Sequence, residues 1–131
     1  MRHLLTLAVL LTFFRLTAVE PAIAVVTGST VVHDLTVRIG GERVSVACLL
    51  QPGVDPHHYQ PVPEDAKRLP KARLVVVNGL GFEGWFEPLA KEAGFQGTIV
   101  IATAGIVPLQ LADEDHPGAV VDDPHAFHSV A

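Results

Sequence analysis

The sequence predicts an α/β domain with a mostly parallel sheet flanked by helices. Four short runs rich in valine, isoleucine and leucine recur along the chain: "AVVTG" (24–28), "RVSVACLL" (43–50), "RLVVVN" (73–78) and "TIVIA" (98–102). The segments between them carry helical spacing or helix-opening residues, not two-residue hairpin turns. "RLVVVN" is also almost unbroken in its apolar character, as expected of a parallel strand covered on both faces.

The elements follow in the order β-α-β-α-β-α-β with short connections. After the first strand, Ser29 stands where it can cap a helix. "TVVHDLTVRIGG" then places apolar residues at 31, 32, 35 and 39 and stops at Gly40 and Gly41. The second strand runs into "LLQPGVDPHHYQPVPED". Pro63 can open a helix there, with Glu64 and Asp65 in its first turn, and Pro70 limits it to about two turns. The third strand is followed by a helix over 84–94, with Pro88 near its start, and then by the fourth strand. Residues 110–123, "QLADEDHPGAVVDD", read as an acidic, irregular loop.

The N-terminus has its own logic. "MRHLLTLAVLLTFFRLTAVEPAIA" joins a short positive start, an apolar stretch from Leu4 to Leu16 and the small-x-small triplet Ala22-Ile23-Ala24. That is the pattern of a secretory signal peptide over residues 1–24, cleaved after Ala24. Arg15 and Glu20 leave too few apolar residues for a membrane span. The expected product, residues 25–131, is a soluble periplasmic domain with no stable membrane insertion. Removing Arg2, Arg15 and Glu20 takes the net charge from −5 to −6. An acidic chain of this kind argues against a nucleic-acid partner. The single cysteine, Cys48, cannot form an internal disulfide, and its apolar neighbours suit a buried thiol. No cysteine stands at the cleavage site to carry a lipid.

Two patterns could carry chemistry. Gly79, Gly81 and Gly84 spell G-x-G-x-x-G between a strand and a helix, the local context of a dinucleotide fingerprint. The acidic residue expected about 20 positions later is missing, because the chain there reads "IATAG". The glycines are better read as a tight turn that packs helix and strand closely. The second pattern is the histidine set: His33, His57, His58, His116, His125 and His128. His33 falls in a helix and is read as structural. His57 and His125 share one context, Asp55-Pro56-His57 and Asp123-Pro124-His125. In open α/β sheets ligands bind beyond the carboxyl ends of strands, and two imidazoles at one such edge can offer two nitrogen ligands to a transition metal. The prolines stiffen each loop, and the aspartates can accept from an imidazole and orient it.

"PGVDPHHYQPVPEDAKRLPKARLVVVNGLGFEGW" (52–85) resembles "PGxDPHxYEPxPxDxxxLxxADLVxxNGLGxExW" of the zinc/manganese class of ABC-transporter substrate-binding proteins. "DDPHAFHSVA" (122–131) resembles their second site motif. The resemblance covers roughly residues 24–131. It implies the N-terminal lobe of a two-lobed metal-binding protein, with His57 and His125 as the first and second metal ligands. His58 occupies a variable position and is not a ligand. Asp113, Glu114, Asp115 and His116 resemble a shortened form of the acidic or histidine-rich loop of some zinc members. Gln60 replaces the usual glutamate, Pro70 interrupts a helix that normally continues, and Phe127 stands where tryptophan is common. The linking helix and C-terminal lobe of the family, with the third and fourth ligands, find no counterpart in the 131 residues.

The implied function is extracytoplasmic capture of a divalent metal ion, zinc or manganese, for delivery to an ABC permease, with no reaction catalysed. An incomplete product without function of its own is one alternative. A metal-dependent hydrolase is another, but it would need a carboxylate base beside an open metal position. The chain has no HExxH motif and no compelling base near His57 or His125.

Overall fold

Alternating β-branched runs and helical patterns give a three-layer sandwich. A computed structural model describes residues 20–113 and 116–128; the expected export segment lies mostly outside the described residues. Strands β1 (Ile23–Thr27), β2 (Val44–Cys48), β3 (Leu74–Val77) and β4 (Thr98–Ile101) form a parallel sheet in the order β2-β1-β3-β4. Helices α1 (Thr30–Gly40), α2 (Pro63–Arg68) and α3 (Phe86–Glu92) connect them.

The period of two along the inner strands divides the core. Val25 and Val76 pack against Val32 of α1 on one face. Val26, Val75 and Val77 pack with Leu69, Phe86 and Leu89 on the other. Strands buried on both faces in this way need continuous apolar sequence, which "RLVVVN" provides. Edge strand β4 is different: Ile99, Val100 and Ile101 are 46, 41 and 50% exposed.

Several expectations shift in detail. Ser29 occupies the N-cap position of α1 in extended conformation, but its side chain makes no capping bond. After Arg68 the chain tightens into a 3₁₀ turn, Leu69–Lys71, which accommodates Pro70 without ending the packed segment. Helix α3 begins at Phe86 and not at Gly84, because 80–85 are turns. Residues 110–123 are not irregular throughout. Gln110–Ala112 (β5) and Val120–Asp122 (β6) form an antiparallel pair, with Gln110 opposite Asp122 and Ala112 opposite Val120. Asp113 opens the connection between these strands, while Glu114 and Asp115 of the acidic stretch lie outside the described residues. The 113–119 ends are joined by the Asp113 N–H donating to the Ala119 carbonyl at 3.0 Å.

Candidate metal centre

Four parallel strands put all their carboxyl ends on one edge of the sheet. The loop carrying His57 leaves β2 at that edge, and the turn 78–85 leaves β3 there. His125 arrives from β6, two residues beyond Asp123. The structure brings the two predicted histidines together: their ring centroids are 5.5 Å apart with planes inclined at 60°. The ring of Phe82, itself buried, lies edge-on to both, at 4.9 Å from His57 and 5.7 Å from His125. Phe127 closes the same aromatic cluster at 5.6 Å from Phe82.

The repeated Asp-Pro-His sequence produces a repeated backbone geometry. The His57 N–H donates to Asp55 Oδ1 at 2.9 Å, and the His125 N–H donates to Asp123 Oδ1 at the same distance. These are Asx turns, the local bond that aspartate offers a residue two positions on. The side chains then diverge. Asp123 Oδ1 lies 2.8 Å from His125 Nδ1, so an ionised carboxylate takes the Nδ1–H and leaves Nε2 with the lone pair. Asp55 directs its second oxygen to His58 Nδ1 at 2.8 Å, not to His57. Each aspartate thus faces an imidazole, as expected, but Asp123 faces the ring of its own motif and Asp55 that of His58, while the ring of His57 rests on Phe82.

The two aspartates are held below the usual carboxylate range. For Asp55 the largest cause is the His58 ring, then the His57 N–H; for Asp123 it is the His125 N–H, then its ring. Glu83 goes the other way, because burial raises its carboxyl while N–H groups of Asn78 and Gly79 oppose the rise. Its two oxygens accept from the Asn78 N–H at 3.1 and 3.0 Å.

The other histidines are placed elsewhere. His58 is exposed beside Asp55, and His33 lies half-buried in α1. His116 pairs with Asp113 at 3.0 Å in the hairpin connection. His128 stacks on His125 at 6.2 Å but is exposed. Among the described residues no three His, Cys, Asp or Glu side chains are grouped so as to hold a metal ion. The candidate centre is a pair of imidazoles, His57 and His125.

Of the three glycines in the G-x-G-x-x-G motif only Gly79 packs closely, and against β4 and the residues after it, not against the helix; a Cβ at Gly81 would meet nothing within 4 Å and one at Gly84 only the Gly81 carbonyl at 3.8 Å. A Cβ on Gly79 would lie 2.4 Å from Ile101 Cγ2 and 2.8 Å from Thr103 Oγ1. The motif does not open a helix, since α3 starts two residues after Gly84. Phe82 was not singled out by sequence reasoning. In "NGLGFEGW" a single aromatic residue between glycines fits a turn as well as a site, so its position carries no signal.

The fold and site together are a parallel α/β sheet with two imidazoles brought together beyond its carboxyl ends. Residues 25–131 match the family described as zinc-uptake complex component A, periplasmic (ZnuA), and the chain belongs to that family. It is similar to the iron-binding protein YfeA of Yersinia pestis, at 34% identity over 80% of this chain and 33% of that protein. It is also similar to the manganese ABC transporter substrate-binding lipoprotein PsaA of Streptococcus pneumoniae, at 32% identity over 79% of this chain and 34% of that protein. Among solved structures, ZnuA superposes with a TM-score of 0.73 at 29% identity, over 83% of this chain and 40% of that one. The manganese-bound periplasmic metal-binding protein of Candidatus Liberibacter asiaticus gives 0.68 at 30% identity, over 80% of this chain and 38% of that one. The chain thus spans about a third of the length of the curated relatives it matches. No helix among the described residues is long and apolar enough to cross a membrane.

Proposed function

We propose that the chain supplies one half of an extracytoplasmic site that captures a divalent transition metal, zinc or manganese, for delivery to an ABC permease. His57 and His125 are the two ligands in this reading. The observation that carries it is the 5.5 Å approach of these two rings on matching Asp-Pro-His loops at the carboxyl edge of the sheet. Residues 25–131 act as the N-terminal lobe. The third and fourth ligands come from a second lobe of the kind the relatives' greater length accommodates, or from water. Residues 1–24 serve as the export signal. Cleavage after Ala24 leaves Val25–Thr27, the buried part of β1, in the sheet. The cargo is bound and released, and no bond is made or broken in it.

Calorimetric titration of the chain with zinc and with manganese tests the assignment. High-affinity zinc sites normally use four protein ligands, so two imidazoles bind weakly. Binding weakens in acid, because a protonated imidazole has no lone pair to give. His57→Ala and His125→Ala each remove most of the binding, whereas His58→Ala and His33→Ala leave it in place. Tight one-to-one binding that survives His57→Ala overturns the ligand assignment.

A further inference from the structure

The turn between β3 and α3 reaches both ligand loops with side-chain donors. Trp85 Nε1–H donates to the Pro56 carbonyl at 2.8 Å. Asn78 Nδ2–H donates to the Pro124 carbonyl at 2.8 Å. In each loop the acceptor is the proline that immediately precedes the histidine. The Pro56 carbonyl and the His57 N–H belong to one peptide group, as do the Pro124 carbonyl and the His125 N–H. Each group is therefore held at both polar atoms, the oxygen by the turn and the N–H by the loop's own aspartate. Because a peptide group is planar, holding both atoms restrains its plane and with it the position of the histidine Cα, leaving the ring to be set by the residue's own φ and side-chain torsions. The Phe82 ring, lying against both imidazoles, limits the side-chain torsions.

The turn can act on the loops because it is itself anchored. Asn78 is buried at 3% exposure. Its N–H meets the Glu83 carboxylate, and its carbonyl accepts from Thr103 Oγ1 at 2.7 Å and from the Thr103 N–H at 3.1 Å. Trp85 is braced by Tyr59 at 5.0 Å and Phe86 at 6.5 Å. Two loops far apart in sequence are thereby referred to one eight-residue segment.

We propose that residues 78–85 form a two-ended clamp that sets the separation of the ligand loops before metal arrives, with Asn78, Phe82 and Trp85 as positioning residues. The proposal rests on the reading of His57 and His125 as ligands. Its physical content is preorganisation: ordering done in the metal-free fold is not charged against binding.

The test combines backbone NMR order parameters of the metal-free chain with zinc calorimetry on the same samples. Trp85→Phe keeps the aromatic ring and loses the N–H; Asn78→Asp keeps the shape and turns a donor into an acceptor. Val75→Ala, in β3 and outside the 78–85 segment, serves as the stability control. Trp85→Phe should lower order over 55–58 and leave 123–125 unchanged, and Asn78→Asp should do the reverse. Each should weaken zinc binding by about three- to tenfold, the effect of one lost hydrogen bond. Val75→Ala should lower stability while keeping order and affinity. Unchanged order in both variants refutes the clamp, as does a loss spread over both loops in step with the control. If wild-type chain binds no zinc, the ligand reading fails while the order parameters still decide the clamp. Trp85→Phe carries the test alone where Asn78→Asp does not fold.

Discussion

Replacing Gly79 and Gly81 separately by alanine distinguishes two reasons for a glycine within a single turn. Both residues have positive φ, +89° and +78°, so each substitution costs about 1–2 kcal/mol for placing a Cβ in left-handed backbone. Their surroundings differ. Nothing lies within 4 Å of a Cβ at Gly81. At Gly79 the new methyl would sit 2.4 Å from Ile101 Cγ2 and 2.8 Å from Thr103 Oγ1. Ile101 is half-exposed and can rotate, but Thr103 is buried and donates to the Asn78 carbonyl, so it cannot yield without breaking that bond. Overpacking of this kind adds about 1–3 kcal/mol, giving a total of about 2–5 kcal/mol for Gly79→Ala against about 1–2 for Gly81→Ala. The restriction alanine places on the unfolded chain is common to both and cancels. Urea denaturation measures the difference as a lower midpoint for Gly79→Ala at unchanged slope. Equal midpoints, or a greater loss at Gly81, would refute the view that the motif exists to pack β3 against β4.

Two further outcomes follow from the carboxylates. Asp123→Asn removes the charge facing His125 Nδ1 and should weaken zinc binding by about tenfold. Asp55→Asn should change it little, because that charge faces His58, and calorimetry showing the opposite ranking would place His57 under Asp55's control. Glu83 gives a pH signature. Its carboxyl is raised in the fold, so the folded chain binds that proton more tightly than the unfolded one. The resulting stabilisation is full below the unfolded glutamate value of about 4.3 and disappears as pH rises through the folded value. Wild-type stability measured relative to Glu83→Gln should fall across that window, and a flat difference would refute the burial argument. The lowered pKa values of Asp55 and Asp123 act in the opposite sense, and are common to both proteins.

The parallel sheet was legible because its strands announce themselves locally. Val25, Val26 and Val75–Val77 are buried on both faces and leave no room for polar alternation. The β5–β6 pair was not legible. Three residues on each side, separated by an acidic stretch, carry no periodic signal, and their pairing depends on register between Gln110 and Asp122. The approach of His57 and His125 could be anticipated from a repeated tripeptide, because the same Asx turn forms in both. Which imidazole each aspartate serves could not. In the first motif a second histidine follows directly, and its ring, not that of His57, meets the free oxygen of Asp55. The roles of Asn78 and Trp85 were equally hidden, since a donor to a distant carbonyl leaves no trace in spacing.

Strand β4 has a consequence for how these residues behave in bulk solution. Thr98–Ile101 closes one side of the sheet, is uncharged, and is exposed along its whole length. The opposite border, β2, alternates and interposes Ser45. An outer strand of β-branched residues with its backbone donors and acceptors turned outward is a template on which another chain can add. Among the described residues β4 is the uncharged outer strand on which such an addition would start, and a single charge at Val100 is the smallest change that would spoil the template.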